Sequence, residues 1–108
     1  MVVCLAVTPS GELDPRWGRA QRVAIAELEE GTVTRWEEFD VGWGALHDAE
    51  PEGAHHARVA RFLREHGVDS VLAEHMGQGM VHMLQKMGLS VHLGVSGDAR
   101  RAVTAAAS

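Results

Sequence analysis

Seven histidines, at positions 47, 55, 56, 66, 75, 82 and 92, give this acidic chain of 108 residues an unusual stock of imidazole. Neutral imidazole is the commonest protein metal ligand, so the useful question is which rings stay neutral and share a location. His55 and His56 follow Pro51 in the first turn of a predicted helix, where the partial positive charge of the helix end disfavours imidazolium and leaves a ring nitrogen for a ligand. His56 shares a helical face with Val59, Ala60 and Leu63 and is expected to point toward the sheet. The competing reading is a core histidine satisfied by a backbone carbonyl. His55 is the weaker of the two. His75 ends a predicted strand beside a loop containing Gly77 and Gly79, at the carboxyl edge where open α/β sheets collect ligands. The backbone amides of Gln78, Gly79 and Met80 open the next helix and can cradle an anion. His66 reads as a helix C-terminal residue whose charge suits the dipole, and His82 and His92 as surface residues. His47 lies in a predicted loop able to fold over the site.

Other chemistries fare less well. Met76, Met80, Met83 and Met87 suggest thioether ligands for copper(I), but the last three match helix packing, the usual employment of methionine. No Lys-Ser or Lys-Thr follows the glycines, so a nucleoside-triphosphate loop is a poor match. Neither Ser10 nor Ser96 sits in a nucleophile elbow, and Cys4 falls inside an apolar run. One cysteine excludes an internal disulfide and paired-cysteine zinc spacing. A net charge of -5 without a dense Lys/Arg cluster argues against a nucleic-acid partner. Arg58, Arg61 and Arg64 with Glu65 read as the solvated face of a helix. No apolar stretch is long enough to span a bilayer and no basic leader precedes a cleavage site, so a cytoplasmic protein without a membrane partner is expected.

The elements that must position these groups follow from periodicity. Val2 to Thr8 is a continuous apolar run ended by Pro9, Ser10 and Gly11, as in a central strand covered on both faces. Arg22 to Glu29 and Val33 to Asp40 flank a turn at Glu29-Glu30-Gly31-Thr32 and form a hairpin, its second strand polar enough for a sheet edge. Val41 to Pro51, with Gly42 and Gly44, has no sustained period and reads as loop. Glu52 to His66 carries a helical stripe of Val59, Phe62 and Leu63, closed by Gly67, with Pro51 at the first helical position. Val68 to Ala73 is a buried strand, Gln78 to Met87 a helix, Leu89 to Leu93 the last strand, and Asp98 caps a short final helix. Ala105 to Ser108 reads as the frayed end of that helix.

Right-handed crossovers then predict a single α/β domain over residues 1–108: a mixed five-stranded sheet ordered 3-2-1-4-5, strand 2 antiparallel, with helices on both faces. That is the ribonuclease-H-like layout. Nuclease chemistry is not expected, because the first strand carries no carboxylate to hold metal ions.

The chain also resembles a known family, the dinitrogenase iron-molybdenum cofactor biosynthesis domain of NifX, NafY and the C-terminal part of NifB. The resemblance is carried by Gly11, Leu13 and Asp14; by Trp17-Gly18-Arg19-Ala20, where the family usually has Phe-Gly-Arg-Ala; by Gly53-Ala54-His55-His56; by Gly67-Val68-Asp69-Ser70-Val71-Leu72; and by Met76-Gly77, Leu84, Gly88-Leu89-Ser90-Val91 and Gly94. It implies the ribonuclease-H-like fold and the binding or carriage of an iron-sulfur or iron-molybdenum-type metallocluster without catalysis. Small stand-alone members occur widely, so it does not imply nitrogen fixation. Many members carry His immediately before the Phe-Gly pair. Here that place is Arg16, and replacing a neutral ligand by a permanent cation is expected to weaken cluster coordination there while favouring an anionic ligand or cluster through charge.

The leading expectation is a non-catalytic carrier with His56 and His75 as metal ligands, Arg16 and Arg19 as anion contacts, and Met76 and Gly77 completing the cofactor site. Cys4 is a reserve ligand. Its partners would be proteins that donate and accept the cluster, and the edge strand offers a route to a homodimer. The residues leave two alternatives open: a metal-free interaction module that pairs Val33 to Asp40 with a partner chain, and a small enzyme acting on an anionic metabolite at the Met76 to Gly79 loop.

Overall fold

The computed structural model describes residues 1–49 and 51–106. Its sheet has five strands, β1 (Val2–Ala6), β2 (Arg22–Glu29), β3 (Thr32–Asp40), β4 (Ser70–Leu72) and β5 (Ser90–His92), in the order β3-β2-β1-β4-β5. β1 pairs antiparallel with β2 and parallel with β4; β2 pairs antiparallel with β3, and β4 parallel with β5. The predicted α/β class, strand order and antiparallel strand 2 are all present. β1 lies at the centre, and its apolar run is buried from Val3 to Ala6 because both faces of the sheet are covered.

The helices are α1 (Trp43–Ala49), α2 (Glu52–Glu65), α3 (Gln78–Lys86) and α4 (Ala99–Ala106). Alternation along β1 and β2 divides the core in two. Cys4, Ala6, Val23 and Ile25 face α2 and α3 and pack with Val59, Leu63, Met80 and Leu84. Val3, Leu5, Ala24 and Ala26 face the other way, against Ala99 and Val103 of α4. The hairpin between β2 and β3 turns through Glu30 and Gly31, both at positive φ (52° and 78°), the geometry that matches strand twist in a two-residue loop.

Two expectations change. The segment after Val41 is not loop throughout: Trp43–Ala49 is helix, begun by a hydrogen bond from the Trp43 N–H to the Ala20 carbonyl (2.9 Å). Trp43 is buried against Trp17, ring centroids 5.2 Å apart, so tertiary packing supplies what local periodicity lacked. His47 therefore has a helical backbone, while its side chain lies outside the described residues, as does the end of the predicted tail, Ala107 and Ser108. Pro51 takes the cap position just before α2 rather than its first turn.

Candidate functional site

Parallel strands β1 and β4 end at the same edge of the sheet, and the loops that leave them meet there. Arg16, following β1, forms an isolated parallel bridge with His75, following β4. Asp14 holds the first loop in place: its Oδ1 accepts the Arg16 N–H (2.9 Å) and lies 3.5 Å from Arg16 Nε. A single 3-10 turn, Trp17–Arg19, follows. α2 precedes β4 and α3 follows it, so both helices run against the strand and present their N-termini at this edge.

Between these pieces lies a cleft of about 210 Å³ lined by Trp17, Gly18, His55, His56 and the segment from Met76 to Met80. Trp17 and His55 are each 1% exposed and form its buried wall; Met76 and Met80 are nearly as buried, and His56 is half-buried. Two glycines let the rings approach. A Cβ on Gly18 would stand 3.6 Å from His55 Nε2, and one on Gly79 only 3.3 Å from His56 Cε1. Gly77 caps α3 without a side-chain hydrogen bond, so the first-turn amides of α3 border the cleft with their positive end of the dipole. The Trp17 Nε1–H, in the side chain that walls the cleft, is buried without a hydrogen-bond partner among the described residues.

The structure thus brings His56, Met76 and Gly77 together. It places Arg16 and His75 beside each other at the rim, both exposed and outside the cleft lining, and Arg19 exposed at the end of the 3-10 turn. The inward histidine of α2 is His55, not His56. His55, Val59 and Leu63 recur at intervals of one turn and are all buried, whereas His56 stands to one side, facing the cleft. That stripe was available in the sequence; the role of Trp17 as a cleft wall was not, because it depends on a long-range contact with Trp43.

Burial pushes the Cys4 thiol well above its ordinary pKa and removes it from the ligand set. His66 caps α2 with its ring 4.4 Å from Phe62 and 4.7 Å from Phe39, and His82 and His92 are exposed. Met83 and Met87 pack against the core, as the helix-packing reading expects. No group of three or more His, Cys, Asp or Glu able to hold a metal ion occurs among the described residues. A larger depression, about 740 Å³, lies between the end of β5 and α4, but there the Asp98 carboxylate already accepts the Arg101 N–H (2.9 Å) at the helix start. The smaller cleft has the convergent donors, and it is the better candidate.

The family model for dinitrogenase iron-molybdenum cofactor proteins matches residues 1–108. Solved structures share the fold. PH0822, a crystal structure, has a TM-score of 0.81 at 21% identity, covering 99% of this chain and 88% of that one. The apo orange protein of Desulfovibrio gigas has a TM-score of 0.74 at 23% identity, covering 94% and 82%. A Thermotoga protein provisionally assigned as NifB, of the DUF35 family and solved by NMR, has a TM-score of 0.71 at 23% identity, covering 96% and 84%. No curated protein gives a significant match in sequence.

Proposed function

The chain belongs to the dinitrogenase iron-molybdenum cofactor family, and from that premise we propose that it is a non-catalytic carrier whose cargo is a preassembled iron-sulfur or iron-molybdenum-type cluster. One observation carries the reading: the imidazole of His56, the thioethers of Met76 and Met80, a buried indole donor and the N-terminus of α3 share one cleft at the carboxyl edge of the sheet.

This donor set suits cargo better than a resident ion. A bare ion needs three or four protein ligands, and no such group occurs among the described residues. A cluster arrives with its own sulfides and negative charge, so it needs only one or two ligand side chains and a shell of N–H donors. His56 supplies the ligand, and the first-turn amides of α3 and the Trp17 N–H supply donors to bridging or terminal sulfide. Arg16 and His75 stand at the rim, where a cation favours capture of an anion and His75 is a second, exchangeable ligand. A half-open cleft with few covalent contacts fits a guest that must be released to an acceptor protein.

Anaerobic reconstitution with iron and sulfide, followed by gel filtration, absorbance and metal analysis, tests this. Wild type is expected to retain iron and sulfide, His56→Ala to lose most of both, and His75→Ala to lose them faster on dilution. Absence of retained iron in wild type, or retention unaffected by both changes, refutes the carrier reading at this cleft.

A further inference from the structure

β3 is a nine-residue strand at the end of the sheet, and its outer margin has a self-complementary pattern. The direction of its backbone groups follows from its neighbours. Met1 and Leu28 exchange hydrogen bonds (3.1 and 2.8 Å), and the Val7 N–H donates to the Arg22 carbonyl (3.0 Å), so the even-numbered residues of β2 serve β1. The odd-numbered ones serve β3, in register with Arg35, Glu37 and Phe39, and the bond from the Val41 N–H to the Gln21 carbonyl continues the series. Trp36, Glu38 and Asp40 therefore turn their N–H and C=O groups toward the open edge.

Antiparallel pairing of this margin with a second copy about a two-fold axis has few possible centres. Centred on Arg35, it opposes two guanidiniums; centred on Glu37 or Glu38, it opposes two carboxylates. Centred on Trp36, it sets Arg35 opposite the second copy's Glu37 twice, by symmetry, and Trp36 opposite its own counterpart with N–H and C=O already aimed outward to bond reciprocally. Opposite charges and aromatic pairs across a ladder are the stabilising combinations, and like charges the destabilising ones. Edge strands are usually defended by charge, but here Arg35, the one cation of β3, meets Glu37 in this register, whereas centres at Arg35, Glu37 or Glu38 set like charges together.

We infer that β3 pairs with β3 of a second copy of this chain, antiparallel and centred on Trp36, joining two five-stranded sheets into one. The side chains are already arranged for it. Arg35 and Glu37 form an ion pair along their own strand, extending into a four-membered charge network across the axis. The Trp36 ring is held on the opposite face by the Arg100 guanidinium, 4.5 Å from its centroid, and by the bond from its Nε1–H to Glu38 Oε2 (3.0 Å). The register shift at Glu27/Leu28 interrupts the strand on one side of the centre and keeps the ladder short, so the dimer is a weak, reversible one. This face lies on β3, not at the cleft, and its failure would leave the carrier reading untouched.

Sedimentation equilibrium of the full chain over micromolar to millimolar concentration tests it with four proteins: wild type, Arg35→Glu, Glu37→Arg and the double exchange, each checked for native far-UV circular dichroism. Each single change is expected to raise the dimer Kd about tenfold or more, as two attractive cross-strand pairs become repulsive. One change makes the chain more acidic and the other less, so a net-charge effect would move them in opposite directions. The double exchange restores both the local pairs and the net charge, and its Kd should return to near wild type. A wild type that stays monomeric at millimolar concentration, a single variant that associates normally, or a double exchange that does not recover overturns the inference.

Discussion

Replacing Gly44 by Ala tests how tightly the 3-10 turn behind the cleft is held. A Cβ there would stand 2.8 Å from the Arg19 carbonyl oxygen, 3.6 Å from its carbonyl carbon and 3.8 Å from its Cα. All three are backbone atoms of the 3-10 turn, so no side chain can swing aside, and either α1 or Trp17–Arg19 must shift. Overpacking of this kind costs about 1–3 kcal/mol, against which Ala returns at most about 1 kcal/mol of helix propensity. The expected net effect is a loss of about 1–2 kcal/mol, a fall of several degrees in Tm for a chain of this size. Gly53→Ala is the matched control. Gly53 also lies in the first turn of a helix but has nothing within 4 Å of an added Cβ, so only the propensity gain remains, about 0.5 kcal/mol so close to a helix end. Urea denaturation of both variants with unchanged m-values gives the comparison directly. A Gly44→Ala protein as stable as wild type, or a Gly53→Ala protein that is less stable, would refute the packing argument.

His55→Ala should cost about 2–3 kcal/mol in urea denaturation, because the ring is buried against Trp43 (centroids 6.4 Å apart), whereas His56→Ala should cost less than about 1 kcal/mol while impairing cargo retention. Gly79→Ala should cost less than Gly44→Ala, since its neighbour at 3.3 Å is the His56 side chain rather than backbone; the ring's displacement should appear as weakened cluster retention in the reconstitution assay. The Cys4 thiol has its folded pKa raised by burial, so above the unfolded value only the unfolded chain ionises, and stability should fall as pH rises beyond about 8.5, with a slope approaching about 1.4 kcal/mol per pH unit. A Cys4→Ala variant should lack that slope in alkaline denaturation series, and native wild type should react with thiol reagents only as fast as it unfolds.

Much of this architecture is written in local pattern. The apolar run of β1, the Glu30-Gly31 turn and the glycines that close α2 and α3 each specify an element by short-range chemistry, and crossover handedness then leaves little choice of strand order. α1 is different. Its seven residues include Gly44, and it persists because Trp43 docks on Trp17 and its first N–H finds the Ala20 carbonyl. The same limit applies at the cleft. The meeting of the loops bearing Arg16 and His75 follows from the shared edge of β1 and β4, but the exchange of roles between His55 and His56 turns on one step of about 100° around a helix, finer than a stripe of three apolar residues resolves. Trp17 shows no period at all; only its long-range neighbours make it a wall.

The placement of the three indoles has an optical consequence. Trp17 and Trp43 are in contact and shielded from solvent beside the cleft, while Trp36 lies on the opposite face of the sheet with the α4 layer. A coloured guest entering the cleft would drain by energy transfer the emission of Trp17, which lines it, and of Trp43, in contact with Trp17. The molecule thus contains its own reporter for cargo arrival and departure, readable without a label.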